Sequence, residues 1–151
     1  GVAATDCARV AAVATAEVPD GPSQIGALAG YGHLRAVVER IGEQVDLQRL
    51  LEPDAALEVY TCFPVVPLAF LMALLETTGR EGTLAEVLEL LAEREITTTG
   101  GMNFARAPWN NPALHGLILV ARAVVAGAGM GLVHGNGGLG GRQGVAVVGR
   151  V

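Results

Sequence analysis

The chain alternates between short runs of small or β-branched residues and longer segments with helical spacing. Residues 9–17, RVAAVATAE, form one such run and are closed by a Pro-Asp-Gly-Pro turn; they predict a buried strand. Residues 21–32 read as loop. Over 33–45, Leu34, Val37, Val38, Ile41 and Val45 recur on one helical face, so an amphipathic helix is expected. A polar connection over 47–54 leads to a second strand at 55–60. Residues 83–94 carry the clearest helix signal. Thr83 and Glu86 form a capping box, and Leu84, Val87, Leu88 and Leu91 make the expected inner stripe. A third strand is expected at 95–98, a fourth at 130–134 and a fifth over 142–151. The link at 135–141 is too short for a parallel crossover, so the last two strands should be antiparallel.

Two helices break the amphipathic pattern. No charged side chain lies between Pro64 and Leu75, and the helix opening at Pro112 has Arg122 as its only charge. Pro112 suits a helix start, where its missing N–H costs nothing. A helix without a polar face is buried on every side. One sheet layer covers one side only, so both helices are expected to need protein beyond this chain. The order β-α-β-α-α-β-α-β-β predicts an α/β fold. Its expected form is a five-stranded mixed sheet, mainly parallel, with helices on both faces and a C-terminal antiparallel hairpin.

Composition sharpens this picture. The chain has 151 residues, 51% hydrophobic but only 4% aromatic, so one domain with an aliphatic core is expected. Only 17% of residues are charged, which leaves little polar surface to wrap an isolated globule. The net charge is −5 and all ten basic residues are Arg, with no basic strip, so nucleic acid is not an expected partner. No apolar run reaches the ~18–20 residues that span a bilayer. Cys7 and Cys62 lie far apart and are expected to be reduced thiols of a cytoplasmic protein. The first residue is Gly1 rather than Met, and a fragment or processed piece is expected.

Candidate chemistry gathers at strand ends, the edge where open α/β sheets bind ligands. Tyr60-Thr61-Cys62-Phe63-Pro64 sits between the second strand and its helix. Cys62 near a helix N-terminus could be a thiolate; with no adjacent His to serve as base, an inert packed Cys is the plainer reading. The loop at 99–111 holds Arg106, Asn110 and Asn111. The two Asn could cap the next helix or bind a ligand, and Arg106 could meet a phosphate or carboxylate or stay solvated. His115 and His134 are either hydrogen-bonded core residues or acid–base groups. Asn136, Gly137 and Gly138 let backbone approach a ligand closely. There is no metal-ligand spacing, no phosphate loop and no Ser-His-Asp set. The GNGGLGG run is no dinucleotide fingerprint, because no helix follows it.

Three of these segments, EVYTCFP (58–64), TTTGGMNFARAPWNNPALHG (97–116) and GLVHGNGG (131–138), together resemble the C-terminal half of the thiolase superfamily. The pattern is similar to thiolase-like acetyl-CoA acetyltransferases related to sterol-carrier-type thiolases. The resemblance spans most of 57–148; over 1–54 it is a match of element order. It implies a duplicated fold of five layers, with central helices between two sheets, of which 1–151 is the C-terminal domain. The nucleophilic Cys would belong to an N-terminal half absent from this chain. Tyr60 sits where the oxyanion-hole group would begin. Ala107 stands where the family has the His of a Gly-His-Pro motif, and His134 lies near the position of a Cys-x-Gly Cys. The resemblance therefore implies acyl transfer on CoA thioesters, with no bound cofactor and no metal. Tyr60, His115 and His134 would be catalytic. Cys62, Phe63, Arg106, Asn110, Asn111, Asn136, Gly137 and Gly138 would bind substrate. The implied partners are acyl-CoA and the missing half or a partner subunit, in a homo- or hetero-oligomer. The chain alone should be inactive. A different class, a non-catalytic module binding acyl-CoA or lipid, is the alternative.

Overall fold

The computed structural model describes residues 3, 6–18, 32–102, 112–137 and 141–151. The elements are β1 (Ala8–Glu17), α1 (Gly32–Gly42), a 3₁₀ turn (Leu47–Leu50), β2 (Ala56–Glu58), α2 (Val65–Thr77), α3 (Leu84–Glu93), α4 (Pro112–Ala126), β3 (Gly131–Gly137) and β4 (Arg142–Arg150). The sheet order is β1-β4-β3-β2. β2 and β3 are parallel, while β4 runs antiparallel to both β3 and β1.

The expected α/β class and mixed sheet are found, with two corrections. Among the described residues the sheet has four strands, not five, and a single parallel pair. Residues 95–98 make one rung beside β2: the Val59 N–H donates to the Ile96 carbonyl at 2.9 Å. The next donor, the Thr98 N–H, turns instead to the Glu58 carboxylate at 2.8 Å, so no ladder continues. The C-terminal hairpin pairs as expected, from Gly137 with Arg142 to Gly131 with Val148.

The two sheet faces are packed unequally. One face presents Ala12, Ala14, Leu57, Val59, Leu132, Val145 and Val147 to a core completed by α1, α2 and α3. Here α1 buries Leu34, Val37, Val38 and Ile41, the stripe its spacing predicts. Eight of the thirteen residues of α2 are buried, including Phe70, Leu71, Leu74 and Leu75. Its apolar circumference is thus covered within the chain, by the sheet and its neighbouring helices, against the expectation that it needs outside protein. The capping box of α3 forms as expected. Its inward residues are Val87 and Leu90, with Leu91 packed against them, whereas Leu84 and Leu88 are exposed. The expected stripe is therefore rotated, because α3 rests on α2 at the edge of the core.

Among the described residues the opposite face carries α4 alone. Only Gly116, Val120 and Val124 of its fifteen residues are buried. Glycines let it sit close to β3: a Cβ on Gly131 would stand 2.2 Å from Val120 Cγ1, and one on Gly116 2.9 Å from Val133 Cγ2. Its outer side is bare, with Leu114 52%, Ile118 43% and Val125 41% exposed. For this helix the expected cover is not supplied by the described residues.

Candidate functional site

Beyond the end of β2 the chain turns through Tyr60 and Thr61 and enters α2. The segment 97–102 folds back over this corner and is tied down twice. Glu58 Oε1 accepts hydrogen bonds from the Thr98 N–H and hydroxyl. Thr61 Oγ1 accepts the Met102 N–H at 2.9 Å. The approach needs glycine: Gly101 has φ +73°, and a Cβ there would overlap Thr61 Oγ1. The first turn of α4 closes the other side. Together these segments enclose a cavity of about 30 Å³, lined by Glu58, Tyr60, Thr61, His115, Gly116 and His134 among others. That is room for a water or two.

Tyr60 is partly buried, and desolvation, then the charge and hydrogen bond of the neighbouring Cys62, raise its pKa above the usual phenol range. Its hydroxyl is therefore a neutral donor near pH 7. Cys62 is a half-buried free thiol. His115 lies on the first turns of α4, half-buried, with its residue in the cavity wall. His134 has a different setting. It is 1% exposed, and its ring stacks on Phe70 of α2 with centroids 4.4 Å apart and planes 11° from parallel. Its Nε2–H donates to Gln143 Oε1 at 2.7 Å. Burial outweighs that bond and lowers its pKa to about 4. His134 is thus a neutral imidazole at physiological pH, with a fixed tautomer.

The Gln143 amide also donates to Asn136 Oδ1 at 2.6 Å and meets His33 Nε2 at 3.4 Å. Asn136 is thereby held in a polar string beneath the hairpin and does not line the cavity. Gly137 pairs with Arg142 at the hairpin end. Phe63 is exposed at the start of α2. Arg106, Asn110, Asn111 and Gly138 lie outside the described residues. Of the expected site residues, the structure brings Tyr60, His115 and His134 around one cavity, with Cys62 against Tyr60. Sequence reasoning missed Glu58, Thr61, Thr98 and Gln143. A charged residue amid the apolar strand 55–60 was the legible signal for Glu58. Among the described residues no His, Cys, Asp or Glu cluster could hold a metal ion, and no helix is long and apolar enough to cross a membrane.

No protein-family model matches the chain, and no curated protein matches it. Among solved structures, it is similar to a monomeric SCP2-thiolase-like protein type 1 from Mycobacterium smegmatis, with a TM-score of 0.72 and 19% identity. The match covers 100% of this chain and 31% of that one, so the chain spans about a third of that protein's length. The fold of this chain is therefore thiolase-like, a mixed α/β sheet with helices on both faces.

Proposed function

We propose that this chain is the C-terminal half-domain of a thiolase-like acyltransferase acting on CoA thioesters, completed by a second half that carries the nucleophilic Cys. The observation that carries the reading is the meeting of Tyr60, His115 and His134 around one cavity beyond the end of β2. They come from three segments far apart in sequence. In this reading Tyr60 donates to the thioester oxygen as negative charge develops there. His115 handles the proton, since His134 is held neutral by burial and packs the wall. Arg106, Asn110, Asn111 and Gly138 bind the CoA thioester in this reading, with Cys62 and Phe63, while Asn136 and Gly137 support the site from the hairpin. The bare side of α4 receives the second half, in the same polypeptide or a partner subunit. CoA thioester is substrate, no cofactor is bound, the chain alone is inactive, and the setting is the cytoplasm.

A second reading is a non-catalytic module that binds acyl-CoA or lipid. An apolar groove of about 260 Å³ between α4 and the sheet, lined by Val13, Leu114, Leu117, Val133 and Ala146, favours it. Sequencing the DNA that flanks the coding region separates the two. An adjoining thiolase-like half with a nucleophilic Cys supports the enzyme, and one without it supports the binding module. Titrating acetyl-CoA into the chain while following amide NMR signals should move Tyr60, Gly101 and His115. No shift at any of them would remove the acyltransferase reading, and no shift at Val13, Leu117 or Ala146 either would remove acyl-CoA binding in the groove.

A further inference from the structure

Glu58 is a charged side chain in the wrong place for a merely structural strand residue. It is 8% exposed, and none of the ion pairs among the described residues reaches it. A buried carboxylate is costly unless paired or hydrogen-bonded. Oε1 meets that need by accepting two hydrogens from Thr98. Among the described residues Oε2 has no hydrogen-bond partner, yet it is not sealed from solvent-sized space. The space that Glu58 lines is the cavity it shares with His115. Gly116, the residue after His115, brings α4 directly onto Glu58: a Cβ there would stand 3.1 Å from Glu58 Cβ. The ring nitrogens of His115 likewise have no partner among the described residues and are not buried. Glu58 and His115 thus line one cavity of about 30 Å³, enough room for a bridging water.

We propose that Glu58 is the positioning residue for His115: a water in this cavity accepts the ring N–H and donates to Glu58 Oε2, so that the opposite ring nitrogen presents a lone pair to the ligand. This rests on the reading of the cavity as an acyl-thioester site. The proton leaving the ligand passes to the open nitrogen of His115, and the electron pair of the broken bond stays on the ligand. The Glu58 carboxylate offsets the charge of the imidazolium that forms. The Thr98 bonds fix Glu58 and leave Oε2 for this task.

Nitrogen-15 NMR of the His115 ring, recorded on the 151-residue chain at neutral pH without any thioester, tests this. The wild-type ring should show a single tautomer. Glu58→Gln keeps an oxygen for Thr98 but turns an N–H₂ toward the cavity, so the tautomer should reverse. Thr98→Val removes one anchoring bond and should leave the tautomer as in wild type. A wild-type ring mixed in the proportions of free histidine, or the same tautomer in wild type and Glu58→Gln, overturns the proposal. If Glu58→Gln does not fold, the wild-type spectrum decides alone. Because no ligand is present, failure of acetyl-CoA binding would remove the acyl-thioester reading without touching this result.

Discussion

Helices α2 and α4 are built from the same kind of sequence and sit on opposite faces of one sheet. In α2, eight of thirteen residues are buried. In α4, three of fifteen are. The difference lies in the neighbours. α2 is wrapped by the sheet, α1 and α3, while α4 has the sheet on one side and nothing described on the other. An apolar circumference therefore says that a helix needs cover, and not whose cover it is. Leu114, Ile118 and Val125 are already about half covered, so burying the rest would add about 0.7–1.5 kcal/mol each, which a second protein layer could supply.

The sharpest break of this comparison is a matched pair of truncations. Phe70→Ala, in the sealed helix, removes a fully buried ring and the stack on His134. It should cost about 3–5 kcal/mol in urea unfolding. Leu114→Ala, on the bare side, should change stability by less than about 0.5 kcal/mol. Equal losses would mean that α4 is as well packed as α2, and the contrast would fall.

The next largest effect is one of pH. Folding holds His134 neutral down to about pH 4, whereas the unfolded chain takes up that proton near pH 6.5. Between these values the unfolded state binds more protons, so stability should fall as pH drops from about 6.5 toward 4 and level off below it. The full loss is about 3 kcal/mol. Replacing His134 with Phe should flatten that part of the curve. An unchanged slope would place the titration elsewhere and weaken the account of the α2 side as a dry core.

How much of this was legible beforehand varies by element. The spacing of Leu34, Val37, Val38 and Ile41 predicts α1 and its buried face, because an amphipathic stripe reports a local periodicity. The cover of α2 was not legible, since α1 and α3 reach it only through the tertiary fold. Residues 95–98 have the composition of a strand, but a side chain decides their fate when Glu58 takes the Thr98 amide. In the site, Tyr60 and His115 are found from their places at a strand end and a helix start. Glu58 shows in the sequence only as a charge within an apolar strand, and its place in the site emerges when the fold puts Gly116 on top of it.

A smaller effect probes how α4 is seated. Gly131→Ala places a Cβ against Val120 Cγ1, and α4 can relieve the clash only by lifting from β3. The cost should be about 1–3 kcal/mol by thermal or urea unfolding. A neutral result would show that α4 rides loosely on the sheet. Its bare side would then follow from poor docking rather than from a missing layer.

The smallest effect on stability is the most direct on the bare side itself. Ile118→Ser and Val125→Ser together remove apolar surface that is already wet, so folding should change by no more than about 0.5 kcal/mol. Self-association should change much more. Exposed Leu114, Ile118 and Val125 on α4, with Val10 and Val13 on β1, give one face of the molecule an apolar character that isolated soluble domains usually avoid. Sedimentation velocity should show the wild-type chain associating as concentration rises and the doubly substituted chain doing so less. Leu84→Ser and Leu88→Ser on α3, which are somewhat more exposed than that pair, serve as the control: they lie at the edge of the filled face and should leave association as it was. If the α3 pair disperses the chain and the α4 pair does not, the open face has been assigned to the wrong side of the sheet.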